Sequence, residues 1–186
     1  MLSEQDLVKG CKKGDIKHQQ ALYDRFAGRM FVVCHRYVPG QQEAEDVLQE
    51  AFIKVFEKID TFRAEASLGS WIKRIVINTA LNHQRSKLYM YPMVDVENVT
   101  HMAMPEQTLA AYHLQDLLAL IQALPEGCRV IFNLFAIEGY SHKEIAELLN
   151  VSEGTSKSQY FRAKKLLQEQ LTSREERSNT YGQGHG

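Results

Sequence analysis

The residues best suited to chemistry lie near the C-terminal end of the sequence, between Gly154 and Leu171. This stretch carries four cations against one acid, Glu169. At helical spacing, one face combines cations, small donors and an aromatic ring. Its members are Gly154, Lys157, Ser158, Phe161, Arg162 and Lys165. Such a face suits the phosphates and base edges of nucleic acid. The alternative is a solvated charged face on an ordinary helical hairpin.

The residues around this face have the pattern of a helix–turn–helix. Ile145, Ala146 and Leu149 share one face of a first helix, and Asn150 tolerates the left-handed backbone that a tight turn requires. Ser152 is a good N-cap for a second helix. The predicted inward face of that second helix comprises Ser156, Tyr160, Ala163 and Leu167. The turn chemistry therefore favours DNA binding independently of the charge.

A second candidate surface for nucleic acid lies between Ser70 and Arg85. At helical spacing, one stripe comprises Trp71, Arg74, Asn78, Asn82 and Arg85. Asn and Arg read base edges or contact phosphates, and an aromatic ring stacks on an unpaired base. Upstream, Phe62 and Arg63 place another aromatic beside a cation on a predicted loop. The alternative is a core Trp and two Asn that bond within a helical bundle.

The preceding predicted helix, Glu43 to Ile59, has a mainly acidic outer face. The face comprises Glu43, Asp46, Glu50, Lys54 and Glu57, with Gln49 beside them. Acidic side chains do not bind DNA. This face is therefore either solvated surface or a docking face for a basic protein.

Helical periodicity extends through the 186 residues, and no alternating strand pattern of useful length is present. The sequence predicts an all-α fold of two small helical domains joined by a flexible linker, the second a helix–turn–helix (winged-helix-like) DNA-binding domain. The predicted boundaries are 1–87 for the first domain, 88–107 for the linker, 108–172 for the second domain and 173–186 for a disordered tail. Ser70 is the predicted N-cap of the last helix of the first domain.

Composition excludes several classes of protein. The three cysteines, Cys11, Cys34 and Cys128, are widely spaced, which predicts free buried thiols. The seven His are dispersed, and the sequence has no Gly-rich phosphate loop and no nucleophile–base motif. No catalytic, metal or cofactor site is therefore predicted. The absence of a signal peptide and of a long apolar run predicts a soluble protein retained in the cytoplasm.

Two segments together resemble bacterial RNA polymerase sigma factors. EAEDVLQEAFIKVFEKIDTFRAEASLGSWIKRIVINTALNHQR resembles their second conserved region, and EGYSHKEIAELLNVSEGTSKSQYFRAKKLL resembles the fourth. The specific signals are D-x-x-Q-E, from Asp46 to Glu50, and W-I-x-x-I-x-x-N, from Trp71 to Asn78. Because no third region separates the two segments, the chain, over about residues 3–171, resembles the extracytoplasmic-function (ECF) group.

The resemblance implies a protein that is not an enzyme. Such a protein binds core RNA polymerase, directs it to promoter DNA and helps to open that DNA. The matching positions for polymerase docking are Asp46, Gln49 and Glu50. Those for reading and opening the −10 element are Phe62, Arg63, Trp71, Arg74, Asn78, Asn82 and Arg85. Those for the −35 element are Thr155, Lys157, Ser158, Phe161, Arg162 and Lys165.

The chain departs from the family pattern at two positions. Ser156 stands where an apolar residue is common, and its hydroxyl is predicted to bond back to a carbonyl of the preceding turn. Gln159 stands where Arg is common, which is expected to weaken phosphate attraction. The resemblance also implies an anti-sigma factor as a partner. We expect a monomer when free, with no membrane insertion of its own.

The formal net charge of −1 predicts weak DNA binding by the isolated chain. In the sigma-factor interpretation this is no obstacle, because polymerase supplies attraction and holds both reading domains near the DNA. The competing interpretation is a stand-alone helix–turn–helix regulator with an N-terminal sensing or dimerisation domain. Such a regulator would bind DNA tightly without polymerase.

Overall fold

The computed structural model describes residues 2–88 and 114–182, with side chains described at 2–84 and 115–173. Every regular element in these residues is helical, which confirms the all-α prediction. The chain divides into two compact units, Met1–Tyr89 and Met90–Gly186. This division falls within the predicted linker, whose residues 89–107 lie outside the described part of the chain.

The first unit is a helical bundle. Its elements are α1 (Glu4–Lys12), α2 (Ile16–Tyr37), α3 (Gln41–Lys58), a 3₁₀ turn (Ile59–Thr61) and α4 (Leu68–Leu88). Helices α2, α3 and α4 pack against one another, and α1 packs on α2. Leu22, Phe26, Val47, Ile72 and Val76 are fully buried between them. The bundle therefore fixes the outer faces of α3 and α4 relative to each other.

Helix α4 begins at Leu68, so the prediction of Ser70 as its N-cap is wrong. The capping hydroxyl is that of Ser67, whose Oγ accepts a hydrogen bond from the backbone N–H of Ser70 at 3.2 Å. Both residues are serines that suit a cap. Leu68, between them, is buried, which brings the first turn of the helix onto the core.

The second unit contains α5 (Leu114–Gln122), α6 (Glu126–Phe132), α7 (His142–Leu149) and α8 (Glu153–Gly182). Helix α6 continues as one π-helical turn, Asn133–Ile137. The predicted start of this domain, at residue 108, lies outside the described residues. The core of this unit comprises Leu120, Ile121, Leu124, Cys128, Phe132, Ala163, Leu167 and Leu171.

Helix α8 is longer than the sequence analysis predicts. It continues through Ser173, the first residue of the predicted disordered tail, to Gly182. Leu171 is buried and holds the helix on the core of the unit. Residues 172–181 contain no Gly or Pro, so nothing in their sequence breaks the helix before Gly182. Residues 183–186 lie outside the described part.

The three cysteines are free and buried, as predicted. Burial raises the pKa of the Cys34 thiol to about 12, so this thiol stays protonated and unreactive at neutral pH. None of the described helices combines the length and the apolar character of a membrane-spanning segment.

Candidate nucleic-acid and protein interfaces

Helix α3 presents Asp46, Gln49 and Glu50 together on its exposed side. Val47 and Ala51, on the opposite side, have no exposed surface. The Glu50 carboxylate accepts a hydrogen bond from Lys54 Nζ at 2.6 Å, an i,i+4 pair on the surface. The structure therefore brings the three predicted docking residues onto one accessible face.

At two further positions of α3, Ile53 and Glu43, the structure differs from the acidic face that the sequence predicts. Ile53 lies on the same face as Gln49 and Glu50 and is 59% exposed, although the sequence analysis does not include it. Its spacing, three residues after Glu50, could have indicated this position. Glu43 instead has a structural role, because its Oε1 lies 2.8 Å from His83 Nε2 and links α3 to α4.

The stripe on α4 is accessible along the part that the structure describes. Arg74, Asn78 and Asn82 are exposed, and Trp71 is half-buried. The Trp71 ring centroid lies 5.4 Å from that of Phe62, so the two predicted aromatic residues form a pair. The side chain of Arg85 lies outside the described residues. Exposure of both Asn argues against the alternative in which they bond inside the bundle.

The loop that follows the 3₁₀ turn carries Phe62 and Arg63 toward this stripe. Phe62 is half-buried and Arg63 is exposed. A cleft of about 800 Å³ separates the loop from α1, and its lining includes Lys9, Lys13, Phe62 and Arg63. The cleft therefore combines a ring with several cations, a composition that suits an unpaired nucleotide.

The helix–turn–helix has the predicted turn chemistry. Asn150 is left-handed, with φ of 56°. Ser152 Oγ accepts a hydrogen bond from the Thr155 backbone N–H at 2.9 Å, which confirms Ser152 as the cap of α8. A second cap begins α7, where Ser141 and Glu144 form a reciprocal capping box. These caps fix the start of α8 relative to α7.

The outer face of α8 presents exposed Lys157, Arg162 and Lys165, with Ser158 and Phe161 half-buried beside them. Thr155, in contrast, is only 7% exposed. Its hydroxyl oxygen lies 2.8 Å from that of Ser152, so Thr155 belongs to the cap and has little surface to offer DNA.

Two cations on this face make ion pairs within the helix. Lys157 Nζ lies 3.3 Å from Glu153, and Lys165 Nζ lies 4.0 Å from Glu169. Exposed i,i+4 pairs of this kind contribute only about 0.2–0.5 kcal/mol. The cations can therefore exchange these carboxylates for phosphates at little cost.

The partner of Ser156 is a histidine of the preceding helix. Ser156 is fully buried, and its Oγ lies 2.9 Å from Nδ1 of His142. The His142 ring stacks on Phe135 at 4.2 Å between centroids. Burial lowers the pKa of His142, and Lys157 lowers it further, while Glu153 opposes the shift. The imidazole and the serine hydroxyl therefore couple α7 to α8.

Gln159 faces inward rather than toward the outer face of α8. It is 4% exposed and accepts a hydrogen bond from the Cys128 thiol at 3.0 Å. Because the side chain at position 159 packs inside this unit, it is not placed to contact phosphate. The structure therefore gives no support to the expected loss of phosphate attraction at this position. Helical spacing agrees, since position 159 lies closer to the inward residues than to Lys165.

Comparison with known proteins gives consistent matches over both units. The family model for sigma-70 region 2 matches residues 22–88, and that for sigma-70 region 4 matches residues 114–167. The ECF RNA polymerase sigma-E factor of Escherichia coli strain K12 is 31% identical over 178 residues, which cover 89% of this chain and 93% of that protein. Its Haemophilus influenzae counterpart is 31% identical over 182 residues, with 91% and 96% covered.

A solved structure supports the fold. The sigma factor RpoE, in complex with the anti-sigma factor NepR from Bartonella quintana, aligns with a TM-score of 0.51 at 22% identity. The alignment covers 84% of this chain and 98% of that one. With both regions matched in order and close relatives along nearly the whole length, the chain belongs to the ECF group of the sigma-70 family of RNA polymerase sigma factors.

Proposed function

We propose that this chain is an alternative sigma factor that docks core RNA polymerase through α3 and reads promoter DNA through α4 and α8. One observation carries the proposal. In the first unit, the exposed docking residues of α3 and the exposed stripe of α4 lie on helices that pack against each other. Polymerase bound to α3 is thereby held at a fixed position relative to the DNA-reading stripe.

The α3 face is suited to a basic protein surface. Asp46 and Glu50 supply negative charge, which steers a basic partner and sets the orientation of docking. Ile53 supplies exposed apolar area within the same face. Interfaces of this type concentrate binding energy in a desolvated centre surrounded by a polar rim. We assign Ile53 to the centre and the two carboxylates, with Gln49, to the rim.

The α4 stripe is suited to the −10 element. The amides of Asn78 and Asn82 can donate to and accept from a base edge, as Asn does with adenine. Trp71 and Phe62 form an aromatic pair at one end of the stripe. Aromatic rings stack on bases that have left the duplex, which stabilises opened DNA. Recognition and opening are therefore assigned to one continuous surface.

The outer face of α8 is suited to the −35 element. In a helix–turn–helix, the second helix enters the major groove with its N-terminal part toward the bases. Lys157 and Ser158 lie in that part, whereas Arg162 and Lys165 lie farther along the helix. We assign phosphate contacts to the cations and base-edge contacts to Ser158 and Phe161.

The same surfaces define the other partners. The RpoE structure from Bartonella quintana contains an anti-sigma factor, and we assign a partner of that class to this chain as well. Free of polymerase, the chain is a cytoplasmic monomer with no catalytic activity of its own. An anti-sigma factor that covers the α3 face would compete directly with polymerase.

Removing one cation from the outer face of α8 tests the −35 assignment. In the holoenzyme, Arg162→Ala is expected to weaken promoter binding about fivefold and to reduce the salt slope by about 1, as for one lost phosphate contact. The matched control is Lys164→Ala on the same helix. The Lys164 ammonium lies 5.4 Å from the centroid of the Tyr160 ring, so it is not part of the outer face that is proposed to contact DNA. Affinity titrations over a range of salt concentrations measure both quantities. An Arg162→Ala slope equal to that of the wild type, or equal losses in both variants, would contradict the assignment.

A further inference from the structure

We infer that Lys12 is a positioning residue for promoter opening, which holds the loop between the 3₁₀ turn and α4 in the shape that receives DNA. The inference rests on the proposed assignment of Phe62, Arg63 and the α4 stripe to the −10 element. That assignment names no residue of helix α1, so Lys12 adds a new part to the surface.

The contact is between one ammonium group and two main-chain carbonyls. Lys12 Nζ donates to the carbonyl oxygen of Asp60 at 3.2 Å and to that of Phe62 at 3.3 Å. These carbonyls lie at the end of the 3₁₀ turn, where backbone C=O groups have no donor within the helix. Hydrogen bonds from a charged donor are stronger than those between neutral groups. Lys12 therefore fixes the backbone at the residue that carries the Phe62 ring.

Helix α1 is a firm support for this contact. Leu7 and Cys11 are buried against the bundle. Gly10 lies directly over His18 of α2, since a β-carbon at position 10 would stand 2.1 Å from His18 Cγ. This close approach holds the last turn of α1, from which Lys12 projects. A lysine on a fixed helix holds the loop more tightly than a lysine on a mobile segment would.

The loop itself adopts a conformation that needs such support. Ala64 has φ of 57°, the left-handed region, which is unfavourable for a residue with a β-carbon. Backbones of this kind persist where surrounding contacts hold them, and they occur often at functional sites. Lys12 holds the loop two residues before Ala64, and Phe62 packs near Trp71 on the other side. The loop is therefore set in shape before DNA arrives, which favours capture of an unpaired base.

The test compares three variants of the full-length chain in holoenzyme with core polymerase. Lys12→Met removes the donors, Lys12→Arg keeps donors and charge, and Lys17→Met removes an exposed charge of α2 that does not line the cleft. Opening is followed by 2-aminopurine fluorescence at the −10 element of a promoter that the wild type opens. We expect Lys12→Met to reduce opening about fivefold, the size that suits hydrogen bonds from an exposed charged donor. Lys12→Arg should restore opening to within about twofold of the wild type by the same reasoning, and Lys17→Met should match the wild type. Core affinity and thermal stability should be unchanged in all three.

Two results would overturn the inference. Equal losses in Lys12→Met and Lys17→Met would show an effect of charge rather than of position. Wild-type opening by Lys12→Met, while Asn78→Ala/Asn82→Ala is impaired, would remove Lys12 and leave the −10 assignment intact. If the Asn variant also opened DNA normally, the −10 assignment itself would fail, and the inference with it.

Discussion

Reversing two charges on α3, by Asp46→Lys/Glu50→Lys, is expected to weaken binding of core RNA polymerase at least about 100-fold. Both side chains are exposed on one helical face, so their replacement leaves the core intact. Placing like charges against a basic partner costs several kcal/mol, which is the basis of this estimate. Fluorescence anisotropy with labelled protein at physiological salt measures the affinity, and circular dichroism verifies the helicity.

The matched control for this pair is Asp24→Lys/Glu169→Lys. It makes the same change in net charge with exposed residues outside α3, one in each unit. The control should bind polymerase within about threefold of the wild type. Charges far from the docking face act on the partner only over long distances, and salt screens such interactions. Equal weakening by both pairs would show that net charge, and not the α3 face, determines binding. Unchanged binding by Asp46→Lys/Glu50→Lys would exclude α3 as the docking face.

Removing two amides from α4, by Asn78→Ala/Asn82→Ala, is expected to reduce promoter opening at least about 30-fold, since each good bidentate base contact is worth about 1–3 kcal/mol. Polymerase affinity should remain unchanged, because the docking residues are on α3. The helix should remain folded, since both positions are exposed and Ala is the best helix former. Permanganate reactivity of unpaired thymines measures the opening.

The control for the amides is Gln20→Ala/Gln41→Ala, two exposed amides of the same unit that lie on α2 and α3. Gln20 donates a hydrogen bond to Asp24 at 2.8 Å, and Gln41 donates one to Glu45 at 2.9 Å, each within its own helix. Opening by this control should equal that of the wild type. If both pairs of substitutions reduced opening to the same extent, the loss would be general and α4 would not be the reading surface.

The helix–turn–helix was predictable because its determinants are local. Asn150 and Ser152 act through their own backbone neighbourhood, so their residue types are sufficient to indicate the turn and the cap. The buried face of α3 likewise follows from periodicity alone. The same pattern places Ile53, an apolar residue, among the exposed polar residues of α3, so its exposure was predictable as well.

What could not be predicted depends on contacts between elements distant in sequence. Glu43 bonds to His83, 40 residues away, and Lys12 bonds to backbone atoms 48 and 50 residues away. The burial of Thr155 depends on how the start of α8 packs within its unit. A helical wheel shows which residues share a face of one helix but does not show what covers that face. The choice of Ser67 over Ser70 as a cap likewise depends on where Leu68 meets the core.

The most direct test of the central claim is transcription by core RNA polymerase from templates with randomised upstream DNA, with and without this protein. The account predicts transcripts that depend on the protein and whose start sites follow two recurrent sequence elements, near −35 and −10, at a fixed spacing. Start sites identical to those of core polymerase alone would contradict it. Tight and sequence-selective binding to the same DNA without polymerase would instead support a stand-alone regulator.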